Sequence, residues 1–233
     1  MQNDRTNRSS RRIGVIMLNT HFPRLPGDVG NPETFACDTL YRRVEVATVD
    51  SVISDTGVSS DVSSAIFDAA KDLDKQGVDL IVTSCGFLGE LQKDLEKQIS
   101  TPVISSALLL TPLVRSLFGA KASLGVITFN SSKLKPLHFN GHYDEQIHIQ
   151  GVERGDELYR VIAGDLESLD YTKAEQDVIA ATCSLMKYNP KAIILECTNL
   201  SPYIDAVRKN SGVPVFDLIQ GIDWLLQAYD GKQ

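Results

Sequence analysis

The chain has 233 residues, of which 42% are hydrophobic and 23% are charged, and its formal net charge is −7. This composition excludes a disordered chain, and the length allows one large domain or two small lobes. The excess of acidic residues argues against nucleic acid as a partner, because phosphate binding needs clustered Lys and Arg. No apolar stretch approaches the roughly 20 residues that span a bilayer, so we expect no membrane partner.

The N-terminal sequence and the cysteine content indicate the cellular compartment of the protein. Residues 1–11 are polar and lack the apolar core of a secretory signal, so we expect a disordered N-terminal arm. Four cysteines are too few for a disulfide scaffold in a chain of this length, which indicates reduced thiols. We therefore expect a cytoplasmic protein.

Short β-branched runs alternate with amphipathic stretches along the whole chain, which predicts an α/β fold with parallel sheets covered by helices. Strands are predicted at 13–19, 43–49, 80–83, 103–105, 123–129, 146–152, 192–196 and 215–217. Helices are predicted at 60–76, 88–99, 108–118, 156–163, 172–187, 202–210 and 221–229. The segment 21–35 holds three prolines and two glycines, and a loop of this length is typical of a lid or a binding loop.

The chain contains an internal repeat. Two segments align without a gap, 78–114 and 190–226. Cys85 falls on Cys197, and a proline follows each cysteine by 17 residues. The sequence Gly-Val-Ile also recurs at Gly14 and Gly125, at nearly the same distance before each cysteine.

The repeat predicts two pseudo-symmetric lobes that face each other across a cleft, and the cleft is the expected active site. The first lobe is assigned to 12–119 and the second to 120–233, with the C-terminal segment able to pack back onto the first lobe. Ligands of open parallel sheets bind beyond the carboxyl ends of the strands. The polar residues at such ends are Asn19, Cys85, Asn130 and Cys197.

Two cysteines on opposite walls of a cleft suit the inversion of a carbon centre. One group must remove a proton from one face of the carbon and a second group must deliver one to the other face, and a thiol and a thiolate can do so. Each cysteine also precedes a predicted helix, whose N-terminal N–H groups and dipole favour the thiolate.

The fragments TSCGF around Cys85 and ECTN around Cys197 resemble the aspartate/glutamate/hydantoin racemase superfamily, whose relatives include maleate isomerase and arylmalonate decarboxylase. The resemblance covers residues 13–229. It implies two α/β lobes, one catalytic cysteine from each, and activity without pyridoxal phosphate or another cofactor. The presence of both cysteines favours racemase or isomerase chemistry over decarboxylation.

The sequence therefore predicts an isomerase, a cofactor-independent racemase of a small amino acid or a related carboxylate or hydantoin, with Cys85 and Cys197 as the catalytic pair. The residues expected to bind the substrate carboxylate are Asn19, Gly86, Phe87, Asn130, Thr198 and Asn199. Two alternatives stay open: a cis–trans isomerase of a maleate-like diacid that uses covalent cysteine addition, and a non-catalytic small-molecule binding protein. We expect a homo-oligomer with a small anionic substrate.

The other reactive side chains are assigned structural roles. Cys37 and Cys183 are assigned to packing, and Arg24 is expected to be an exposed loop arginine. Strand alternation turns Glu196 to the face opposite Cys197, where we expect a hydrogen-bonded structural acid. Histidines 138, 142 and 148 are assigned to a solvated loop and lack a cysteine or carboxylate at ligand spacing, so no metal site is predicted.

Overall fold

A computed structural model describes residues 9–229, and within them two four-stranded parallel β-sheets are covered by helices. The first sheet consists of β1 (Ser9–Leu18), β2 (Cys37–Val44), β3 (Leu80–Thr83) and β4 (Val103–Ile104). The second consists of β5 (Leu124–Thr128), β6 (Ile147–Gly151), β7 (Ala192–Leu195) and β8 (Val215–Phe216). The predicted α/β class is confirmed.

The α-helices lie between the strands and after the last one. They are α1 (Val49–Val52), α2 (Ser60–Lys75), α3 (Gln92–Gln98), α4 (Thr111–Phe118), α5 (Leu158–Ala163), α6 (Tyr171–Leu185), α7 (Ile204–Ser211) and α8 (Leu218–Gln227). Several of these helices are preceded by a turn of 3-10 helix, and two of those turns begin directly after a cysteine. Within the described ranges, none of the helices is both long and apolar enough to cross a membrane.

The two sheets have the same strand order, β2-β1-β3-β4 and β6-β5-β7-β8, as the sequence repeat predicts. The repeated glycines explain part of the shared packing. A Cβ on Gly14 of β1 would come 3.0 Å from Leu73 of α2, and one on Gly125 of β5 would come 2.6 Å from Leu185 of α6. A larger residue would push the covering helix away from the central strand of its sheet.

The second strand lies earlier than the sequence predicts. The prediction placed it at 43–49, but β2 ends at Val44, which pairs with Leu18, the last residue of β1. The following β-branched residues do not continue the strand, because Thr48 caps α1 by accepting a hydrogen bond from the backbone N–H of Ser51. Of the predicted arm, residues 1–8 lie outside the described residues, and 9–11 belong to β1.

The second sheet buries both faces, so neighbouring residues of one strand belong to different apolar clusters. Val126 of β5 packs in the cluster around the first sheet, whereas Ile127 packs with α5, α6 and α7. Helix α8 contributes Leu218 and Ile222 to the cluster around the first sheet. The last helix of the chain thus completes the core of the first half.

The two cysteines assigned to packing have different environments. Cys37 is buried in the core around the first sheet. Cys183 is exposed, which corrects its assignment to the core. The apolar face of α6 is formed by its neighbours Val178, Ala181 and Leu185, and the helical period turns Cys183 away from that face.

Candidate active site

Cys85 and Cys197 lie at the carboxyl ends of β3 and β7, and each is the residue before a six-residue 3-10 helix. Both are buried, with 6% and 8% of their surface exposed, and both line one cavity between the sheets. The free volume of the cavity is about 20 Å³, room for about one water molecule. Its other walls are Leu18, Phe22, Arg24, Val49, Ile53, Ser84, Phe87, Phe129, Ile162, Glu196 and Asn199.

The environment of Cys85 keeps its thiol protonated. Burial, followed by the charge of Glu196, raises the pKa of Cys85 to about 12, although backbone N–H groups of Phe87 and Leu88 approach the sulfur and act in the opposite direction. The prediction that a helix N-terminus would favour the thiolate is therefore wrong for Cys85. Desolvation outweighs the donors of one short 3-10 turn.

The Cys197 thiol has a hydrogen-bond partner of its own. Its Sγ donates to Oδ1 of Asn199 at 3.5 Å, and the amide nitrogen of Asn199 donates to Asp28 at 2.7 Å. Burial and the neighbouring Glu196 raise the pKa of Cys197 well above its usual value. These effects keep the Cys197 thiol neutral, although the backbone N–H of Asn199 also approaches the sulfur and acts in the opposite direction.

Asp28, in the loop 21–35, is a buried acid that the sequence analysis did not select. Its side chain is 0% exposed and accepts hydrogen bonds from Arg24 at 3.1 Å and from the backbone N–H of Gly30 at 2.6 Å. Its second oxygen accepts from Asn199 and is 3.2 Å from the hydroxyl of Thr198. Asp28 therefore ties a loop of the first half to the 3-10 turn that follows Cys197.

Arg24 is buried at the cavity wall instead of being exposed. Its side chain is 10% exposed, because the guanidinium pairs with Asp28, donates to the hydroxyl of Thr20 at 3.1 Å and lies 4.7 Å from the ring centroid of Phe22. The sequence contains a weak signal for this pair, since Arg24 and Asp28 are four residues apart within one Pro- and Gly-rich loop. The burial of Asp28 depends on the distant partners Thr198 and Asn199.

Glu196 lines the cavity, which corrects its assignment to the opposite face. It is 1% exposed, and one carboxylate oxygen accepts a hydrogen bond from Thr128 at 2.6 Å. Its other oxygen lies against Gly86, where any side chain would overlap the carboxylate and the carbonyl oxygen of Glu196. Burial raises the pKa of Glu196 to about 7, an effect reduced by the Thr128 hydrogen bond.

The structure brings together some of the predicted substrate-binding residues. Phe87 and Asn199 line the cavity, and Phe87 packs at 4.7 Å against the ring of His138, which is buried rather than solvated. Gly86 contacts Glu196, and the Thr198 hydroxyl lies between Asp28 and the carbonyl oxygen of Ser84.

Asn19 and Asn130 lie apart from this group. Asn19 donates to Glu45 through its side-chain amide, at 3.1 Å to the carbonyl oxygen and 3.2 Å to the carboxylate. Asn130 donates to the Tyr159 hydroxyl at 3.2 Å and caps the following turn by accepting from Ser132. Neither residue lines the cavity.

Comparison with solved structures places the chain in a known fold. An aspartate racemase of Picrophilus torridus superposes with a TM-score of 0.60 at 14% identity, covering 96% of this chain and 95% of that one. An allantoin racemase of Pseudomonas fluorescens gives a TM-score of 0.58 at 17% identity, covering 93% and 89%. A structure of arylmalonate decarboxylase gives 0.59 at 13% identity, covering 95% and 93%. The two-lobe fold of the racemase superfamily is thus confirmed.

Relatives found by sequence comparison narrow the class of protein to which this chain belongs. A dimethylsulfoniopropionate lyase of Durusdinium sp. clade D is 30% identical over 226 residues, which cover 93% of this chain and 74% of the relative. Dimethylsulfoniopropionate lyase 3 of Emiliania huxleyi (strain CCMP1516) is 32% identical over 219 residues, which cover 89% of this chain and 57% of the relative. No family model matches. The chain belongs to the dimethylsulfoniopropionate lyase family.

This membership overturns the predicted activity. The predicted activity was that of a racemase, an isomerase in the broader sense, whereas the relatives are named as lyases. The fragments around Cys85 and Cys197 indicate the fold and the two-thiol cavity correctly, but they do not distinguish between a racemase and a lyase.

Proposed function

We propose that the protein is a lyase that cleaves dimethylsulfoniopropionate into dimethyl sulfide and acrylate. The observation that carries the proposal is the placement of two buried thiols, Cys85 and Cys197, in one cavity at the carboxyl ends of the two sheets. The named activity of the relatives supplies the substrate.

The chemistry needs one base and one leaving group. A base removes a proton from the carbon next to the carboxylate, and the electron pair of that C–H bond forms the double bond of acrylate. The bond between the next carbon and the sulfonium sulfur breaks, and its electron pair stays on sulfur as neutral dimethyl sulfide. One proton is released in each turnover. Racemisation would begin with the same proton abstraction, but elimination needs no second proton donor on the opposite face.

Cys85 is assigned the role of the base. Two backbone N–H groups, of Phe87 and Leu88, approach its sulfur and can stabilise a thiolate. The Cys197 sulfur is approached by one, that of Asn199, and its thiol already donates to the side chain of the same residue. A bound sulfonium cation would lower the pKa of Cys85, because a nearby positive charge favours the thiolate. The base would thus form when the substrate is present.

Arg24 is suited to the carboxylate end of the substrate. It lines the cavity, and its pairing with Asp28 fixes the direction of the guanidinium. The cavity volume of about 20 Å³ is smaller than the substrate, so binding has to displace wall side chains. Phe22 and Arg24 come from the loop 21–35, which has no regular secondary structure.

The experiment is incubation of the purified full chain with dimethylsulfoniopropionate, with dimethyl sulfide measured by gas chromatography and acrylate by NMR. We expect equal amounts of the two products. The double variant Cys85→Ala/Cys197→Ala should form neither, and Cys183→Ala, which alters an exposed cysteine, should match the wild type. Absence of both products with the wild-type protein, or full activity of the double variant, would contradict the proposal.

A further inference from the structure

One carboxylate oxygen in the cavity has no partner. Glu196 is held by Thr128 through one oxygen, while its Oε1 is buried without a hydrogen-bond partner among residues 9–229. Within the same residues, Glu196 also takes part in no ion pair, because Arg24, the guanidinium of the cavity wall, is paired with Asp28. The backbone N–H of Phe129 also stabilises the charged carboxylate, yet one oxygen of this buried acid stays without a hydrogen-bond donor.

A buried carboxylate without a counter-ion is costly, and a cation in the cavity would remove that cost. The walls beside Glu196 suit an onium group rather than a metal ion or an ammonium with N–H donors. Three walls of the cavity are the aromatic residues Phe22, Phe87 and Phe129. The Phe22 ring already lies against the Arg24 guanidinium, so Phe87 and Phe129 are the aromatic residues left to attract a cation that carries methyl groups. Such a cation offers no hydrogen to donate, so charge and apolar contact have to hold it.

We infer that Glu196 binds the cationic end of the substrate, and that it selects onium carboxylates over neutral carboxylates of the same shape. This inference rests on the proposed function and assigns the two ends of the substrate to different groups. Glu196 faces the sulfonium and Arg24 faces the carboxylate, with the Cys85 thiol in the same cavity for the proton between them.

The assignment also accounts for product release. Breaking the carbon–sulfur bond converts the sulfonium into neutral dimethyl sulfide, so the attraction to Glu196 ends when the reaction occurs. The remaining acrylate carries one negative charge and no cation. Glu196 therefore favours the substrate over both products.

The test uses two unreactive ligands of equal shape. One is 3-(trimethylammonio)propanoate, which has a quaternary ammonium, and the other is 4,4-dimethylpentanoate, which has a neutral carbon in its place. Dissociation constants are measured by titration calorimetry for the wild type, for Glu196→Gln and for the control Glu90→Gln. Glu90 is a half-buried acid that accepts a hydrogen bond from Val58 and does not line the cavity.

The wild type and the control should bind the ammonium ligand about 10-fold or more tightly than the neutral one, as a desolvated cation–carboxylate contact predicts. Glu196→Gln should bind both ligands about equally. A variant with the wild-type preference, or a wild type that shows none, overturns the inference. Cleavage of dimethylsulfoniopropionate is measured separately, so a protein that cleaves it without this preference refutes the role of Glu196 alone.

If Glu196→Gln does not fold, a pH titration of ligand binding to the wild type tests the same role of Glu196. The preference for the ammonium ligand should disappear as the pH falls through about 7, because Glu196 takes up a proton. The other titratable groups that face the cavity are Cys85 and Cys197, whose pKa values lie higher, and Arg24, which stays charged. A preference that does not change between pH 5.5 and 8.5 overturns the inference.

Discussion

The two halves of the molecule have the same strand order, yet their cysteines have different neighbours. Cys85 stands between Ser84 and Gly86, and two backbone N–H groups approach its sulfur. Cys197 stands between Glu196 and Thr198, and its thiol donates to Asn199. The second cysteine is flanked by a carboxylate and a hydroxyl, whereas the first is followed by a glycine, against which the Glu196 carboxylate packs.

This asymmetry fits an elimination better than an inversion. Inversion treats both faces of one carbon alike and is served by two equivalent acid–base groups. Elimination from a substrate with a different charge at each end needs one base and two different binding groups. The duplicated scaffold supplies the two thiols, and the unequal residues Glu196 and Arg24 supply the distinction between the ends.

Removal of one thiol at a time should show the largest functional difference between the two halves. Cys85→Ala should lower kcat/KM for dimethyl sulfide release about 10²–10⁴-fold, which is the usual contribution of a general base. Cys197→Ala should have a smaller effect, because its thiol acts as a hydrogen-bond donor. Steady-state kinetics at pH 8 measure both. A larger loss in Cys197→Ala would exchange the two roles.

Removing the charge that joins the halves should cost stability. Asp28→Asn leaves the buried guanidinium of Arg24 without its carboxylate, so we expect a loss of about 3–5 kcal/mol in the free energy of unfolding, measured in urea. The control is Asp72→Asn, which removes an exposed partner of Arg42 and should leave the free energy of unfolding nearly unchanged. Similar losses in the two variants would show that burial of the Arg24 pair has no special effect.

The buried acid of the second half should make stability depend on pH. Burial raises the pKa of Glu196 to about 7, above its ordinary 4.5, so the folded state holds a proton that the unfolded state loses first. The free energy of unfolding should therefore fall as the pH rises from about 4.5 to 7, by about 3 kcal/mol from this residue, and the effect should be constant above pH 7.

Urea unfolding across this pH range, compared with Glu196→Gln, isolates that contribution. The variant should gain stability relative to the wild type as the pH rises through the same window. A pH-independent difference between the two proteins would mean that Glu196 has the same protonation in both states.

The smallest expected effect concerns the hydroxyl that follows Cys197. Thr198→Ala removes one hydrogen bond to Asp28 or to the Ser84 carbonyl and should cost about 1 kcal/mol in thermal or urea unfolding. Thr198→Ser keeps the hydroxyl and should retain most of that energy. Equal losses in both variants would assign the effect to the lost methyl group.

The fold could be predicted because its signals are local. Each strand and helix follows from residues a few positions apart, and the internal repeat relates the two sheets. The two cysteines could be placed for the same reason, since each lies two residues after a buried strand. The prediction for β2 was wrong because pairing with β1, and not the β-branched content of residues 45–49, decides where that strand ends.

The rest of the candidate site depends on contacts that the sequence does not display. Asp28 is buried by Asn199, a partner more than 170 positions away in the sequence. Arg24 is buried by residues of its own loop. Glu196 was assigned to the wrong face because alternation holds only within a strand, and β7 ends at Leu195. The type of reaction could not be predicted from the sequence either, because it depends on a leaving group of the substrate.

The position of α8 has a consequence for biosynthesis. Its residues Leu218 and Ile222 complete the core around the first sheet, and Arg11 at the start of β1 donates to the carbonyl of Tyr229 at 2.9 Å. The first half of the chain leaves the ribosome long before these partners exist. Part of the apolar surface of the first half therefore stays uncovered until α8 has been synthesised. We expect chaperones to bind the nascent first half during translation.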